Sequence, residues 1–577
     1  MTTHSTGHYF LEGLQELGLD RVFVNLGTDH VTIIEELARW REKGRDVPAI
    51  IMCPHETVAV HMAGGYAIAT GQGQAVLVHV DAGTANAAMG LHNLARTRVP
   101  VLLMAGRAPH TLRGELPGSR DNFVHFVQDP FDIGSLVRPY VKWEYNLATG
   151  VNVKEVLRRA HTAMQSEPPG PVYLTLPRET LAEEWDEAAV LSYPAARYGA
   201  VEAGGARPGQ AEQIAEALLK AEKPIAITSY LGRRPEAVAV LDALTREAGI
   251  AVVEMGPVTL NIPHDSPCFA GFDPLAAMAD ADLGLMLDVD VPYLPKFSPD
   301  AARLRWMQVD MDAVKKDFPM WGFPADLRVQ GDCATVLGEV LQILRTRADE
   351  GFRVRAASRV AALAEAGQAR RRRIAEAAAA PGEFDAISVP HLCAALARHM
   401  APEDVLLNES VRNALAVSAN IPRTQPGTYV GSAGGGLGFS GGAALGVKMA
   451  KPGVRVVQVV GDGVFHFTSP DAVYAVAQQY RLPVLTVVLD NRGWQAVKMA
   501  VLRVYPEGAA KASDEFHARL DHREQGTQRR FEEVGRAFGA HGEAVNDPAE
   551  LEEAIRRCFA AIDRGQAAVL SVRVTPL

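Results

Sequence analysis

Two short segments carry oxygen atoms suited to a hard cation. Gly461-Asp462-Gly463 follows the apolar run VRVVQVV, and 27 residues later, after the apolar run PVLTVVL, comes Asp490-Asn491-Arg492-Gly493. Asp462 offers an anionic oxygen, Asn491 a neutral amide oxygen and Gly493 a backbone carbonyl. Such a set suits Mg²⁺, which keeps part of its water and takes its remaining ligands from substrate phosphates. The glycines let the backbone approach a phosphate, and a following helix N-terminus favours its negative charge. Gly, Asp and Asn also favour plain strand-end turns. The asparagine paired with GDG across a second strand is what turns the reading toward a cation–phosphate site.

The N-terminal third holds groups suited to moving protons. Glu56, in Pro54-His55-Glu56-Thr57, stands between the strand-like AIIMC and the helical VAVHMAGGYAIATG. By itself a carboxylate at a helix start is an ordinary cap favoured by the macrodipole. His79 ends the run QAVLVHV and is followed by Gly83, Thr84 and Asn86. Histidine titrates near neutrality and suits general acid–base work. Asp29 and His30 in the turn Gly27-Thr28-Asp29-His30, and His125 and Gln128 in NFVHFVQDPFD, are further candidates for the same pocket. His61 and His92 fall on helices and read as packing or surface residues.

These residues need scaffolding that ends strands side by side. Short Val/Ile/Leu-rich runs alternate with helical patterns along almost the whole chain, the mark of parallel sheets covered by helices on both faces. The runs fall into three groups: five between 21 and 177, four between 223 and 310, and four between 404 and 574. An Ala/Gly/Pro-rich connector (184–208) and an Ala/Arg/Glu helical stretch (345–383) separate them. The expectation is three α/β doubly wound domains, 1–185, 205–345 and 384–577. Arg370–Arg373 reads as a solvated helix face rather than an anion patch.

With 577 residues, 48% hydrophobic and 22% charged, the chain is ordinary globular material for several domains. A net charge of −10 argues against a nucleic-acid partner. The five cysteines lie far apart with no CxxC pair, which fits a reducing cytoplasm and no disulfide framework. Neither a signal peptide nor an apolar run of about 18 residues is expected.

The combination resembles a known family. GDG followed at 25–30 residues by Asn is similar to the motif of thiamine-diphosphate enzymes. YVGSAGGGLGFSGGAALGVKMA (429–450) resembles the segment that precedes that motif in acetolactate synthases and benzoylformate decarboxylase, as HE-x₅-MAGGYAIATG and residues 74–107 resemble two of its N-terminal segments. The resemblance implies a pyrimidine-binding first domain, a central domain and a diphosphate-binding third domain. It makes Glu56 the partner of the cofactor's pyrimidine N1′, Leu437 the wedge under the bent cofactor, and the Gly435 carbonyl an acceptor for its 4′-amino group. It places Ser410, in LLNES, and Asn86 near the cofactor. It assigns the metal to Asp462, Asn491 and Gly493, with Gly461 and Gly463 shaping the turn. The family usually has asparagine where Asp490 stands, a departure that spares the metal ligand. It puts His79, His30 and Gln128 in the active site, Pro292 and Tyr293 near its entrance, and Trp494 with the segment after it in a substrate lid.

The activity implied is a Mg²⁺-dependent 2-oxo acid decarboxylase or carboligase that forms an enamine and releases an aldehyde or acyloin. Acetolactate synthases usually carry a hydroxyl residue where His79 stands, whereas benzoylformate decarboxylase and some diketone-cleaving relatives carry histidine; a C–C lyase or hydrolase acting on a diketone or acyloin without CO₂ loss is the alternative. A non-catalytic homologue is disfavoured because Glu56, Asp462 and Asn491 are all present. A homodimer or homotetramer with sites between chains is implied. FAD is the lesser expectation, since KPIAITSYLGRRPEA offers one glycine where a dinucleotide turn needs several. Gly436-Leu-Gly438-Phe-Ser-Gly441 also satisfies a dinucleotide fingerprint, but the preceding TQPGTYVGSAGG is too broken to be the buried strand such a turn requires.

Overall fold

The computed structural model describes residues 2–519 and 529–576. Three six-stranded sheets, parallel throughout, organise the chain. The first contains β1 (Arg21–Val24), β2 (Ala49–Met52), β3 (Gln74–Val78), β4 (Val101–Arg107), β5 (Glu144–Asn146) and β6 (Val172–Pro177), in the order β2-β1-β3-β4-β6-β5. The second contains β7 (Pro224–Thr228), β8 (Ala251–Glu254), β9 (Phe269–Gly271), β10 (Leu283–Leu287), β11 (Arg305–Asp310) and β12 (Leu327–Gln330), in the order β9-β8-β7-β10-β11-β12. The third contains β13 (Val405–Glu409), β14 (Tyr429–Gly431), β15 (Val456–Gly461), β16 (Leu485–Asp490), β17 (His541–Val545) and β18 (Ala568–Arg573), in the order β14-β13-β15-β16-β18-β17. The first and third sheets thus share one topology, while the central sheet is wound outward from β7 in both directions.

Central strands such as β3 and β16 are buried along their full length, which is why they read as unbroken apolar runs. The strands absent from the sequence reading, β5, β9, β12, β14 and β17, all lie at or toward a sheet edge and are short or interrupted by polar residues and glycine. An edge strand is covered less completely and carries a weaker apolar signal.

The first and third domains share a core. Helix α1 (Glu56–Thr70) is apolar nearly all round and buried over most of its length, as expected of a helix enclosed on all sides. Helix α2 (Val80–Thr97) packs beside it, and the long α3 (Glu350–Ala379) links the central and third domains. Helix α4 (Phe439–Ala450) crosses α1 backbone against backbone. A Cβ on Gly446 would fall 2.0 Å from the Met62 carbonyl oxygen, and one on Gly65 would fall 2.1 Å from that of Ala443. Val58, Ala59 and Met62 of α1 join Leu445 and Val447 of α4 in one apolar cluster.

On α3, Arg370 donates to the Phe269 carbonyl and its guanidinium lies over that ring. A cavity of about 870 Å³ lies between α3 and the N-terminal ends of β7 and β8; it contains none of the candidate residues. The five cysteines are buried free thiols. No described helix is long and apolar enough to cross a membrane.

Candidate active site

The carboxyl ends of β1, β3 and β4, adjacent in the first sheet, bring one polar group together. Ligands in open parallel sheets bind outside such strand ends. His79 ends β3 and caps α2, and the next residue, Val80, has φ +40°. That is a costly conformation for a β-branched residue, tolerated where surrounding structure fixes it. The His79 Nδ1 lies 2.5 Å from Oδ1 of Asp29, and its Nε2 lies 3.0 Å from Oε1 of Gln128. Asp29 is almost wholly buried, whereas His79 keeps about a quarter of its side chain exposed.

Space for this pair is made by two glycines. A Cβ on Gly106 of β4 would sit 1.5 Å from Asp29 Oδ2, and one on Gly27 would sit 2.0 Å from His79 Nδ1. The Asp29 hydrogen bond raises the His79 pKa against the burial that lowers it. Burial pushes the Asp29 carboxyl up, but the His79 hydrogen bond and the two neighbouring imidazoles outweigh it, and the net shift is downward.

His30 stands behind the pair. It is fully buried, its Nδ1 accepts from the Gly27 N–H at 3.0 Å, and its Nε2 lies 3.3 Å from Asp29 Oδ2. Burial lowers its pKa, so the ring is a neutral brace for the turn. His125 reaches the same turn through Thr28, 3.4 Å away. His61 is buried, T-shaped on Phe439, and pushed down to about 3 by burial. His92 meets the Gly434 carbonyl at 2.6 Å.

Glu56 opens α1. It is buried, and its Oε2 accepts from the Asn86 amide at 3.0 Å. The Thr57 hydroxyl donates to the Asn86 carbonyl at 2.8 Å, which fixes Asn86 from its other side. Among the described residues no donor reaches Oε1 of Glu56, so one carboxylate oxygen is held and the other is available.

The second half of the candidate site lies at the ends of β15 and β16. Gly461 pairs with Leu489, so Asp462 and Asn491 emerge from neighbouring strands. Asp462 accepts from the Gly463 N–H at 2.8 Å and from Arg529 at 2.9 Å; Arg529 also reaches Asp490 at 2.5 Å. Arg573 lies 2.9 Å from the other oxygen of Asp490. Burial pushes the Asp462 carboxyl up to about 6 in spite of Arg529. The Asn491 Oδ1 is buried with no hydrogen-bond partner among the described residues.

An orphaned amide oxygen beside a buried carboxylate, with a guanidinium already drawn to that carboxylate, is the donor set a hard cation fits. Among the described residues no group of three or more His, Cys, Asp or Glu side chains could hold a metal, so the set is a mixed one. The Gly493 carbonyl accepts from the Gln495 N–H at 2.9 Å and retains a second lone pair. Gly493 has φ +141° and backs onto Ala518, and the Trp494 indole lies over Gly463.

The glycine-rich turn before α4 is shaped by Glu409, which the sequence reading passed over. Its buried carboxylate accepts the N–H groups of Gly438, Phe439 and Ser440 at 2.8–3.2 Å. These are the donors a dinucleotide phosphate would need, so the fingerprint reading of this glycine run fails. Asn93 brackets Gly436 through both its N–H and its carbonyl. Gly435 has φ +72°, and among the described residues nothing donates to its carbonyl. Leu437 packs half-buried against a cluster containing Val460, Val464 and Phe465. Ser410 is buried and donates to Asn408 Oδ1 at 2.7 Å.

The central sheet presents a different picture at its own crevice, between β7 and β10. Tyr230 OH donates to Asp310 at 2.7 Å; Lys315 reaches Asp310 at 2.7 Å and Asp290 at 2.9 Å; Arg98, from the end of α2, pairs with Asp290 at 2.7 Å. Lys315, Tyr230 and Asp310 are essentially inaccessible. These paired side chains occupy the crevice between the two strands. Tyr293 is stacked on Trp306 in the central core, with Pro292 buried beside it, which corrects the expectation of an entrance position.

Two parallel-sheet domains of equal topology thus bring a buried glutamate to one sheet edge and an Asp/Asn pair to the other, the layout of an enzyme whose cofactor is shared by two domains. Residues 4–136 match the model for the thiamine pyrophosphate enzyme N-terminal domain, and residues 412–572 match that for its C-terminal domain. The chain belongs to the thiamine pyrophosphate enzymes, in the branch related to benzoylformate decarboxylase and acetolactate synthase.

It is 27% identical over 515 residues to benzoylformate decarboxylase of Pseudomonas aeruginosa, covering 86% of this chain and 87% of that protein. It is 25% identical over 539 residues to the acetolactate synthase large subunit of Haemophilus influenzae, covering 88% and 85%. The solved Rhodococcus jostii 4-hydroxybenzoylformate decarboxylase superposes with a TM-score of 0.76 at 20% identity over 99% of both chains, which shows the three-domain fold.

Proposed function

We propose that this enzyme decarboxylates a 2-oxo acid, with Mg²⁺ and thiamine diphosphate bound, and releases an aldehyde or an acyloin. The observation that carries the reading is the buried Glu56 with one oxygen tied to Asn86 and the other available. It is supported by the two relatives above, a benzoylformate decarboxylase and an acetolactate synthase large subunit, each matched over most of its length.

When bound, thiamine diphosphate supplies a nucleophilic carbon and a cationic ring that accepts the electron pair left by departing CO₂. Glu56 holds a proton at the pyrimidine N1′. Asp462, Asn491 and the Gly493 carbonyl would hold Mg²⁺, Ser410 would stand near the cofactor's phosphate groups, and Gly461 and Gly463 leave room at that turn. Leu437 and the Gly435 carbonyl would contact the bound cofactor. His79 moves a proton at the substrate oxygen or carbon, and Gln128, which meets its Nε2 in the absence of substrate, lines the same pocket.

Glu56 of one chain serves the diphosphate motif of a second, in a homodimer or homotetramer. Exposed apolar side chains flank both halves, among them Phe123, Phe126 and Phe131 in the first domain and Leu415 and Trp494 in the third.

His79, with each ring nitrogen facing an oxygen acceptor, could equally protonate a carbon released from a diketone or acyloin. An NMR time course with 2-oxo acids and 1,2-diketones, oxygen excluded, separates the two. An aldehyde or acyloin formed with bicarbonate supports decarboxylation, consumption of diketones alone moves the enzyme to C–C cleavage, and no turnover overturns both.

A further inference from the structure

We propose that Asp29 is a positioning residue: it grips the His79 imidazole by Nδ1, so that Nε2 presents a proton at the position now held by Gln128 Oε1, where a carbonyl or carboxylate oxygen of the substrate takes Gln128's place. The argument begins with exposure. Asp29 is 2% exposed and His79 23%, so the accessible part of the imidazole lies away from the carboxylate. A 2.5 Å contact to a carboxylate oxygen places a proton on Nδ1. Gln128 Oε1, at 3.0 Å from Nε2, is an acceptor standing where a substrate oxygen would stand.

The surrounding backbone is built for this pair rather than around it. Gly27 and Gly106 leave no Cβ where Asp29 and His79 meet, and Val80 is held at positive φ directly after the histidine. Among the described residues the other oxygen of Asp29 makes longer contacts, to the Val80 N–H at 3.4 Å and the His30 ring at 3.3 Å. Burying a carboxylate at this cost is expected where its partner carries the opposite charge.

The titratable groups facing His79 are Asp29 and His30 from the β1 turn, Asp81 on α2, and His125 across Thr28. Asp29 and Asp81 favour the imidazolium, while His30 is kept neutral by burial. The sign follows: the raised His79 pKa keeps the ring protonated above its ordinary range, and the associated stabilisation is lost as pH rises through the raised value.

The test is a pH titration of ¹³C,¹⁵N-labelled histidine in the holoenzyme, with His79→Gln used to assign the resonance. In the wild type His79 titrates above 6.5 with its proton on Nδ1 retained to high pH. In Asp29→Asn its pKa falls by about 1–3 pH units, and the basic limb of the kcat profile moves by the same amount, while C2-proton exchange in the bound cofactor is unchanged. Asp29→Glu restores part of both shifts. A wild-type His79 titrating at or below the ordinary value, or an unmoved limb in Asp29→Asn, overturns the proposal. The kcat arm rests on the function proposed above; the titration arm does not, and the wild-type measurement stands even if the variants do not fold.

Discussion

Glu56→Gln slows exchange of the C2 proton of bound thiamine diphosphate by roughly 10²–10⁴-fold, the range of a positioned acid–base group. Cofactor affinity stays largely unchanged, because the Asn86 contact uses the oxygen that glutamine retains. The substitution keeps the length and shape of a side chain at the first turn of α1, so the helix and its packing against α4 survive. What is lost is a group able to hold a proton at N1′. Exchange is read by acid quench and proton NMR of the released cofactor, which needs no substrate. Exchange at the wild-type rate in this variant would remove Glu56 from the chemistry and leave it a cap.

Asp462→Asn weakens Mg²⁺-dependent retention of thiamine diphosphate by at least about 100-fold, since even residues that only support metal ligands cost 10–100-fold. Asparagine fills the same space but brings no charge. Arg529 then keeps Asp490 as its remaining carboxylate partner, so the local fold has a counter-charge in the absence of ligand. Calorimetric titration of cofactor with and without Mg²⁺ reads the effect, and the melting temperature of the ligand-free protein is the control. Wild-type Mg²⁺ dependence in this variant would contradict the assignment of the cation to Asp462 and Asn491.

The parts of the site legible in the sequence are those set by local chain geometry. GDG and Asn491 follow buried strands whose apolar runs are unmistakable, and Glu56 and His79 sit where a strand gives way to a helix. The same locality explains why strands at the sheet edges went unread: Tyr429–Gly431 and His541–Val545 are paired on one side and need no continuous apolar run.

Partners fixed only by tertiary structure stayed hidden. Arg529 meets Asp462 across 67 residues, and nothing in its own neighbourhood marks it. The one available signal was Asp490, a carboxylate beside a second carboxylate, which requires a counter-charge from somewhere. Glu409 shares its strand end with Ser410, and only the fold shows that its buried carboxylate takes its donors from the glycine-rich turn. The pairing of Asp29 with His79 depends on β1 and β3 lying side by side, a property of sheet order.

Incubation with 2-oxo acids labelled with ¹³C at C1, in the presence and absence of thiamine diphosphate and Mg²⁺, tests the central claim most directly. The account predicts labelled bicarbonate in step with aldehyde or acyloin, only when cofactor and metal are both present and not in Glu56→Gln. Substrate consumed with the label retained in an organic product, or label released equally without the cofactor, would contradict it.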